Sequence, residues 1–305
     1  MNRQHLDLFI QLTLAVLSLA GIIGNTFNFY ILSRPKFLKE SMFRYFMANE
    51  IFGSICLIFM WIHYIPIIFG LNVSNLYCKM VIYTTYVFYY SYPWIYVLNS
   101  VDRLISLKYP FKFQLRKKFK TQALTIGSIL LVFTFSNVTY LVYEERGSNY
   151  GTFLCSFNDR KIAIIITGVN FIFSNFISSC IIVTITCLLA HYLITQKQVI
   201  QEERSNFKRE IQFIKCILTM DIWFIITYTP FTITDLIQYM LDPFILTTNT
   251  WQLIHNICVL FILVNTSSNF LVLYFCNKRL RQSYKAIFCK RKVIPTVGQQ
   301  MMVRI

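Results

Sequence analysis

The sequence predicts an all-α membrane protein: a seven-transmembrane helix bundle followed by a short amphipathic eighth helix. Three observations predict it. Seven long apolar segments fill the 305 residues, at about 8–33, 43–69, 76–102, 121–143, 162–194, 211–240 and 250–275. The basic residues between them fall almost wholly in alternate gaps. The chain is 56% hydrophobic and 14% charged with a mean hydropathy of +0.53, too apolar for a water-soluble domain.

Each segment is long enough to cross a hydrocarbon core, which takes about 20 helical residues. Lipid offers backbone groups no partners, so crossing segments are helices or closed barrels, and these runs lack a barrel's alternation. The spans leave no room for a second domain. Residues 1–7 form a head, 8–275 the bundle, and 276–305 the amphipathic helix and tail. The head Met1–Asp7 leads straight into an apolar run too long for a cleaved signal, so the first helix is expected to insert as an anchor.

A net charge of +16 would suggest nucleic acid in a soluble chain. Its placement points to a membrane instead. The gaps at 34–44, 103–120 and 197–215, with the tail after 276, hold every basic residue except Arg3, Lys79, Arg146, Arg160 and Lys161. The positive-inside rule then puts the N-terminus outside and the tail in the cytoplasm. An odd number of spans agrees. Nucleic acid is not an expected partner; membrane lipid is.

Of nine cysteines, seven lie in or beside spans: Cys56, Cys180, Cys187, Cys216, Cys258, Cys276 and Cys289. Cys78 and Cys155 alone fall in the outer, oxidising compartment, where a disulfide between them would tie the third helix to the 144–161 loop. Asn72-Val-Ser74 is a candidate glycosylation acceptor in an outer gap, whereas Asn137 and Asn265 match the tripeptide inside spans.

Cys78 opens the third span and Asp102-Arg103 closes it, followed by Pro110. The 25 residues from Cys78 to Arg103 cover about 38 Å of helix, one membrane face to the other. This resembles the D/E-R-Y end of a rhodopsin-like (class A) G-protein-coupled receptor, with Leu104 in place of the Tyr. Gly24-Asn25 resembles the G-N of the family's first helix. Phe224-Ile-Ile-Thr-Tyr228-Thr-Pro230 resembles the F-x-x-C-W-x-P of its sixth, and Asn265-Thr-Ser-Ser-Asn269-Phe270 the N-S-x-x-N-P of its seventh. Residues 277–288 resemble its short eighth helix. The chain departs from the pattern at Glu50 (usually Asp), at Leu273 where the family has Tyr, and in lacking Trp in the fourth span and Pro in the fifth. The texture is similar to that of divergent invertebrate neuropeptide receptors.

The resemblance implies roles. An acid twenty residues before the sixth-helix proline pairs with the arginine in this family, and here it is Glu210. Asp102 and Glu210 are thus expected to hold Arg103 at rest, and Pro230 to be the hinge on which the sixth helix swings to expose it to a heterotrimeric G protein. An arginine at a helix end also has a plain reading, snorkelling to the interface. Glu50, ionisable in mid-membrane, resembles with Asn25, Asn265 and Asn269 the family's sodium site. Bulky Tyr92 stands where a serine usually serves that ion, which favours instead a Glu50 hydrogen-bonded to asparagines without sodium. Asp221 has no counterpart and no partner evident in the sequence.

The family's amine-binding Asp would fall at Thr85 and its retinal-binding Lys at Leu263, so neither ligand is expected. Thr85, Tyr86, Tyr89, Tyr90, Tyr228, Phe231, Thr232 and Asp235 line the outer half, with acids Glu144, Glu145, Asp159 and Asp242 in the outer loops. Amphipathic rings beside acids suit a peptide with aromatic and basic groups, although aromatics also fill any core. Residues 152–157 alternate like a hairpin strand. Cys289, before Lys290-Arg291-Lys292, is a candidate palmitoylation site on the inner leaflet.

The expected function is that of a plasma-membrane receptor binding an extracellular ligand, a neuropeptide first of all. A chemosensory receptor for small organic ligands is the rival within the fold. A transporter or channel with Glu50 and Asp221 as a proton path is the rival of another class. No internal repeat favours the latter. No H-E-x-x-H, G-x-S-x-G or P-loop suggests an enzyme.

Overall fold

Lipid leaves a backbone few options, and the apolar segments take the helical one. A computed structural model describes residues 3–69, 71, 73–108, 119–147, 154–157, 160–199, 205–240 and 249–288. Helix α1 is Arg3–Leu32, α2 Pro35–Leu38, α3 Ser41–Phe69 and α4 Asn75–Lys108. The fourth span is α5 (Phe119–Ser136) and α6 (Thr139–Tyr143). Strands β1 (Glu144–Gly147) and β2 (Leu154–Phe157) follow. Helix α7 (Arg160–Asn170), a π-helical turn (Phe171–Phe176) and α8 (Ile177–Val199) make the fifth span. Last come α9 (Ser205–Met240), α10 (Asn249–Cys276) and α11 (Lys278–Phe288).

Among the described residues, six helices are long and apolar enough to cross a membrane: those containing Leu12–Leu32, Ser41–His63, Phe119–Val142, Ile164–Thr195, Ile211–Thr234 and Leu253–Cys276. The sequence predicts seven. The one that falls short is α4, diluted by tyrosines and by Asn99, Asp102 and Arg103. Its position explains why. α4 touches α3, α5, α6, the π turn, α8, α9 and the hairpin, so its polar groups meet protein rather than lipid. α5 is the opposite case. Only Gln122 and Phe133 are buried on it, and Leu124, Leu131, Val132 and Phe135 point outward, as a lipid-facing helix requires.

Three local features refine the expectation. The predicted span 121–143 breaks at Asn137-Val138 into α5 and α6, where the Asn137 amide turns back to the Phe133 carbonyl at 2.7 Å. Of the predicted strand at 152–157, Leu154–Phe157 is β2, and its partner is β1, with Arg146 opposite Cys155 in antiparallel register. The fifth span, lacking proline, is widened by the π turn, where the Ile177 N–H reaches back five residues to the Ile172 carbonyl.

Helices α1 and α10 pack closely because two glycines let them. A Cβ on Gly24 would lie 2.4 Å from the Phe270 ring, and one on Gly21 2.3 Å from the Ser267 hydroxyl. Phe270, standing where the family pattern has proline, thus fills the notch that Gly24 leaves. Helix α11 starts cleanly because the Asn277 side chain accepts from the N–H groups of Arg279 and Leu280 at 3.0 and 3.2 Å. Its apolar face, with Leu280 and Tyr284, is buried against α10 and α1. Arg279 pairs with Glu40 at 2.5 Å and Lys36 donates to Ser283 at 2.8 Å, so α11 is pinned to the turn around α2. Partial burial, then the charges of Arg34 and Arg279, hold the Lys36 amine below its usual pKa.

Candidate functional site

At one end of α4, Asp102 and Arg103 are both about 5% exposed. Ser41, the first residue of α3, joins them: it donates to the Asp102 carboxylate at 2.7 Å and accepts from the Arg103 guanidinium at 3.3 Å. The guanidinium also lies 5.4 Å over the Phe213 ring of α9. Glu210 sits one helical turn before Phe213 on α9, and its side chain lies outside the described ones. The sequence did not single out Ser41 or Phe213. A serine opening a helix and a phenylalanine in a span carry no local signal of such a role.

Mid-bundle, polar bonds tie together six helices. Asn265 donates to Thr227 at 2.6 Å and accepts from Tyr92 at 3.3 Å. Asn269 donates to the Tyr92 hydroxyl at 2.6 Å and accepts from Tyr96 at 2.9 Å. Asn25 donates to the Thr266 carbonyl at 3.1 Å. The expected grouping of Glu50 with Asn25, Asn265 and Asn269 is therefore only partly assembled, because the Tyr92 hydroxyl stands between the two α10 asparagines. Glu50 turns to Asn28 instead, which donates to it at 2.7 Å and accepts from Tyr284 of α11 at 2.6 Å. Asn28 lies three residues after Asn25 on the same face of α1, a helical periodicity that could have flagged it.

Asp221, without a partner in the sequence reading, has two here. The Ser100 hydroxyl of α4 donates to its carboxylate oxygens at 2.8 and 3.1 Å, and the Thr186 hydroxyl of α8 donates at 3.2 Å. Ser100 is fully buried and Asp221 is about 1% exposed. Ser100 also precedes Arg103 by one turn on the same helix face.

Toward the Cys78 end the contacts are aromatic. Tyr86 stacks on Tyr140 at 4.6 Å, Tyr86 meets Tyr89 at 6.3 Å, Tyr89 stacks on Tyr228 at 5.6 Å, and Tyr228 on Phe224 at 4.6 Å. Phe224 continues to Tyr96 at 4.7 Å, whose hydroxyl enters the asparagine network. Phe231 packs edge-on against Tyr89 at 5.8 Å and lies 5.9 Å from His255. The predicted ligand residues Tyr86, Tyr89, Tyr228 and Phe231 do come together. Three of the predicted lining residues prove buried: Tyr90, Tyr228, whose hydroxyl donates to Asn175 of the π turn at 2.8 Å, and Thr232, bonded to the Thr229 carbonyl. Ring stacking and the neighbouring helices cover them. Thr85 spends its hydroxyl on the Val81 carbonyl. The Asp235 side chain lies outside the described ones, and Asn72 and Cys289 lie outside the described residues altogether. A groove of about 470 Å³ between α4, α5 and the fifth span, lined by Trp94, Phe133 and Asn170, contains none of the predicted ligand residues.

Pro230 sits inside α9, its carbonyl accepting from the Thr234 hydroxyl at 3.1 Å, while Thr227 bonds the Trp223 carbonyl at 2.6 Å. A missing N–H flanked by hydroxyls bonded to the helix backbone is a recognised cause of bending. Cys78 is buried and disulfide-bonded; Cys56, Cys180, Cys187, Cys216, Cys258 and Cys276 are free. An arginine near the end of the central helix, a proline inside α9 and paired asparagines on α10 thus stand together in one bundle. Residues 24–272 match the family described as 7 transmembrane receptor (rhodopsin family).

The chain belongs to that family. Among curated proteins, none matches it. It is a multi-pass membrane receptor, and the family is one of signalling receptors rather than enzymes. The match begins at Gly24, within α1, and ends at Val272, within α10, so it runs from the first span into the last and leaves α11 outside.

Proposed function

We propose that this receptor binds an extracellular peptide through the Tyr86–Tyr89–Phe231 end of the bundle and activates a heterotrimeric G protein at the Arg103 end. One observation carries the proposal: Arg103 is buried against Phe213 of the proline-containing α9, so a swing of that helix uncovers a cation. Glu210, one turn from Phe213, is the acid we assign to the resting pair with Arg103, with Ser41 bridging to Asp102. Orientation follows the basic residues, N-terminus outside and tail in the cytoplasm of the plasma membrane.

Cys155, on the strand opposite Arg146, is the partner we assign to Cys78. Asn72 remains the candidate glycan acceptor and Cys289 the candidate acylation site. Glu50, bonded to Asn28, serves in this reading as an interhelical tie rather than a sodium ligand. Asp235, near the outer end of α9, is assigned to a basic group of the peptide.

The test is ligand-dependent nucleotide exchange on a G protein, found by screening amidated peptides through a promiscuous G protein. Arg103→Ala is expected to abolish exchange while leaving radioligand binding intact. Glu210→Ala is expected to raise basal exchange. Substrate-dependent flux in liposomes, with no exchange for any ligand, would replace the receptor mechanism by transport. A response to small organic ligands but to no peptide would select the chemosensory alternative.

A further inference from the structure

We infer that Asp221 is a second resting-state latch, which holds the Arg103 end of α9 against α4 and α8 through Ser100 and Thr186. The inference rests on the G-protein reading for its signalling consequence, but the latch itself is a property of three helices and stands on their geometry.

An acid in mid-span is expensive in lipid and persists where partners meet it. Asp221 has them on both neighbouring helices, and all three hydrogen bonds are accepted by its carboxylate. Bonds of this kind weaken steeply over a fraction of an ångström and a modest change of angle, so the contact is made or broken rather than stretched. Asp221 lies nine residues before Pro230, about 14 Å along the helix on the side that would swing. A hinge motion that moves the start of α9 outward therefore separates Asp221 from Ser100. Ser100 in turn lies one turn from Arg103, so the latch and the coupling cation share a face of α4.

A purely structural role makes a different forecast. Removing one partner of a buried contact strands the Ser100 and Thr186 hydroxyls and lowers thermal stability, but a contact made equally in both states does not shift the balance between them. Were Asp221 only glue or filler, Leu there would leave the resting equilibrium alone. As a latch, its loss removes a contact made in one state only, and a two-state equilibrium shifts by that difference.

The experiment uses the full-length receptor in nanodiscs without ligand, with two readouts: basal nucleotide exchange on a purified G protein, and the distance between spin labels placed at Lys215 on α9 and Ala123 on α5, in a background lacking the exposed native cysteines. Asp221→Leu is expected to raise basal exchange roughly five-fold or more, the effect of losing one or two interhelical hydrogen bonds, and to add a longer label distance. Asp221→Asn, which keeps an acceptor, is expected to change both less. Ser100→Ala and Thr186→Val should each produce part of the effect, and Ser100→Ala should add little on top of Asp221→Leu. An Asp221→Leu receptor with unchanged exchange and unchanged label distance overturns the latch. If that variant does not fold, Ser100→Ala decides alone by the same two readouts. A lengthened distance without exchange in any variant sustains the latch and overturns the G-protein reading.

Discussion

The two halves of this bundle are held together by different forces. Near Cys78 the helices meet through tyrosine and phenylalanine rings 4.6 to 5.8 Å apart. Toward Arg103 the Phe43 and Phe213 rings also meet, at 5.8 Å, but hydroxyls, amides and carboxylates bridge helices beside them at 2.6 to 3.3 Å, from Asn28–Glu50 and Asn265–Thr227 to Ser100–Asp221 and Ser41–Asp102. Rings tolerate tilt and offset over several arrangements of similar energy, so the first half can adapt to a ligand. Short hydrogen bonds tolerate little, and each buried one leaves a costly orphan when it breaks. The difference suits a receptor: graded adjustment on one side, discrete switching on the other. Tyr96 is the junction, its ring on Phe224 and its hydroxyl on Asn269.

The contrast can be broken most severely at Asn269. Asn269→Leu removes the bonds to Tyr92 and from Tyr96, which keep only their longer contacts with each other and with Asn265, and is expected to cost about 2–3 kcal/mol, at about 1–1.5 kcal/mol for each lost bond. The check is the melting temperature of ligand-free receptor in detergent. An unchanged value would show that the polar half is not what holds the bundle. Gly24→Val is the next largest, about 1–3 kcal/mol, since its side chain would collide with the Phe270 ring. The same measurement decides it, and Phe270→Ala is expected to rescue part of the loss.

A smaller effect is expected for Tyr284→Phe, which removes the bond from α11 to Asn28 and costs about 1 kcal/mol. Glu50→Gln keeps an acceptor for Asn28 and should change thermal stability less than Glu50→Leu does; the reverse order would return Glu50 to a charged, ion-binding role. The mildest change belongs to the aromatic half. Tyr86→Leu removes stacking worth about 0.5–1.5 kcal/mol, which should appear as a right-shifted ligand dose–response with basal exchange unaltered. A raised basal level in that variant would erase the distinction between the halves.

Helices and their order were legible in the sequence because seven runs of apolar residues are a property of contiguous chain. Cys78, Asp102-Arg103, Pro230 and the α10 asparagines were legible because their spacing is local. Partnerships between helices were not. Ser41, Asn28, Ser100 and Thr186 are ordinary residues for a span, and what makes them matter is a neighbour 22 to 121 residues away. Glu50 illustrates the point: sequence placed it with Asn265 and Asn269, but the Tyr92 hydroxyl occupies that space and Asn28 offers the nearer amide. The modest apolarity of α4 misleads in the other direction, since a helix enclosed by its fellows has no need to dissolve in lipid.

The wide turn at Phe171–Phe176 has a consequence for how such a protein can diverge. A wide turn takes up one residue more than an ordinary helical turn, so a single codon lost there would restore regular winding and leave the flanking helices facing as they do now. Asn175 would then no longer meet Tyr228, yet Thr186, on the far side, would keep its bearing toward Asp221. Such a turn lets a lineage change the few side chains within it while the rods on either side stay in register.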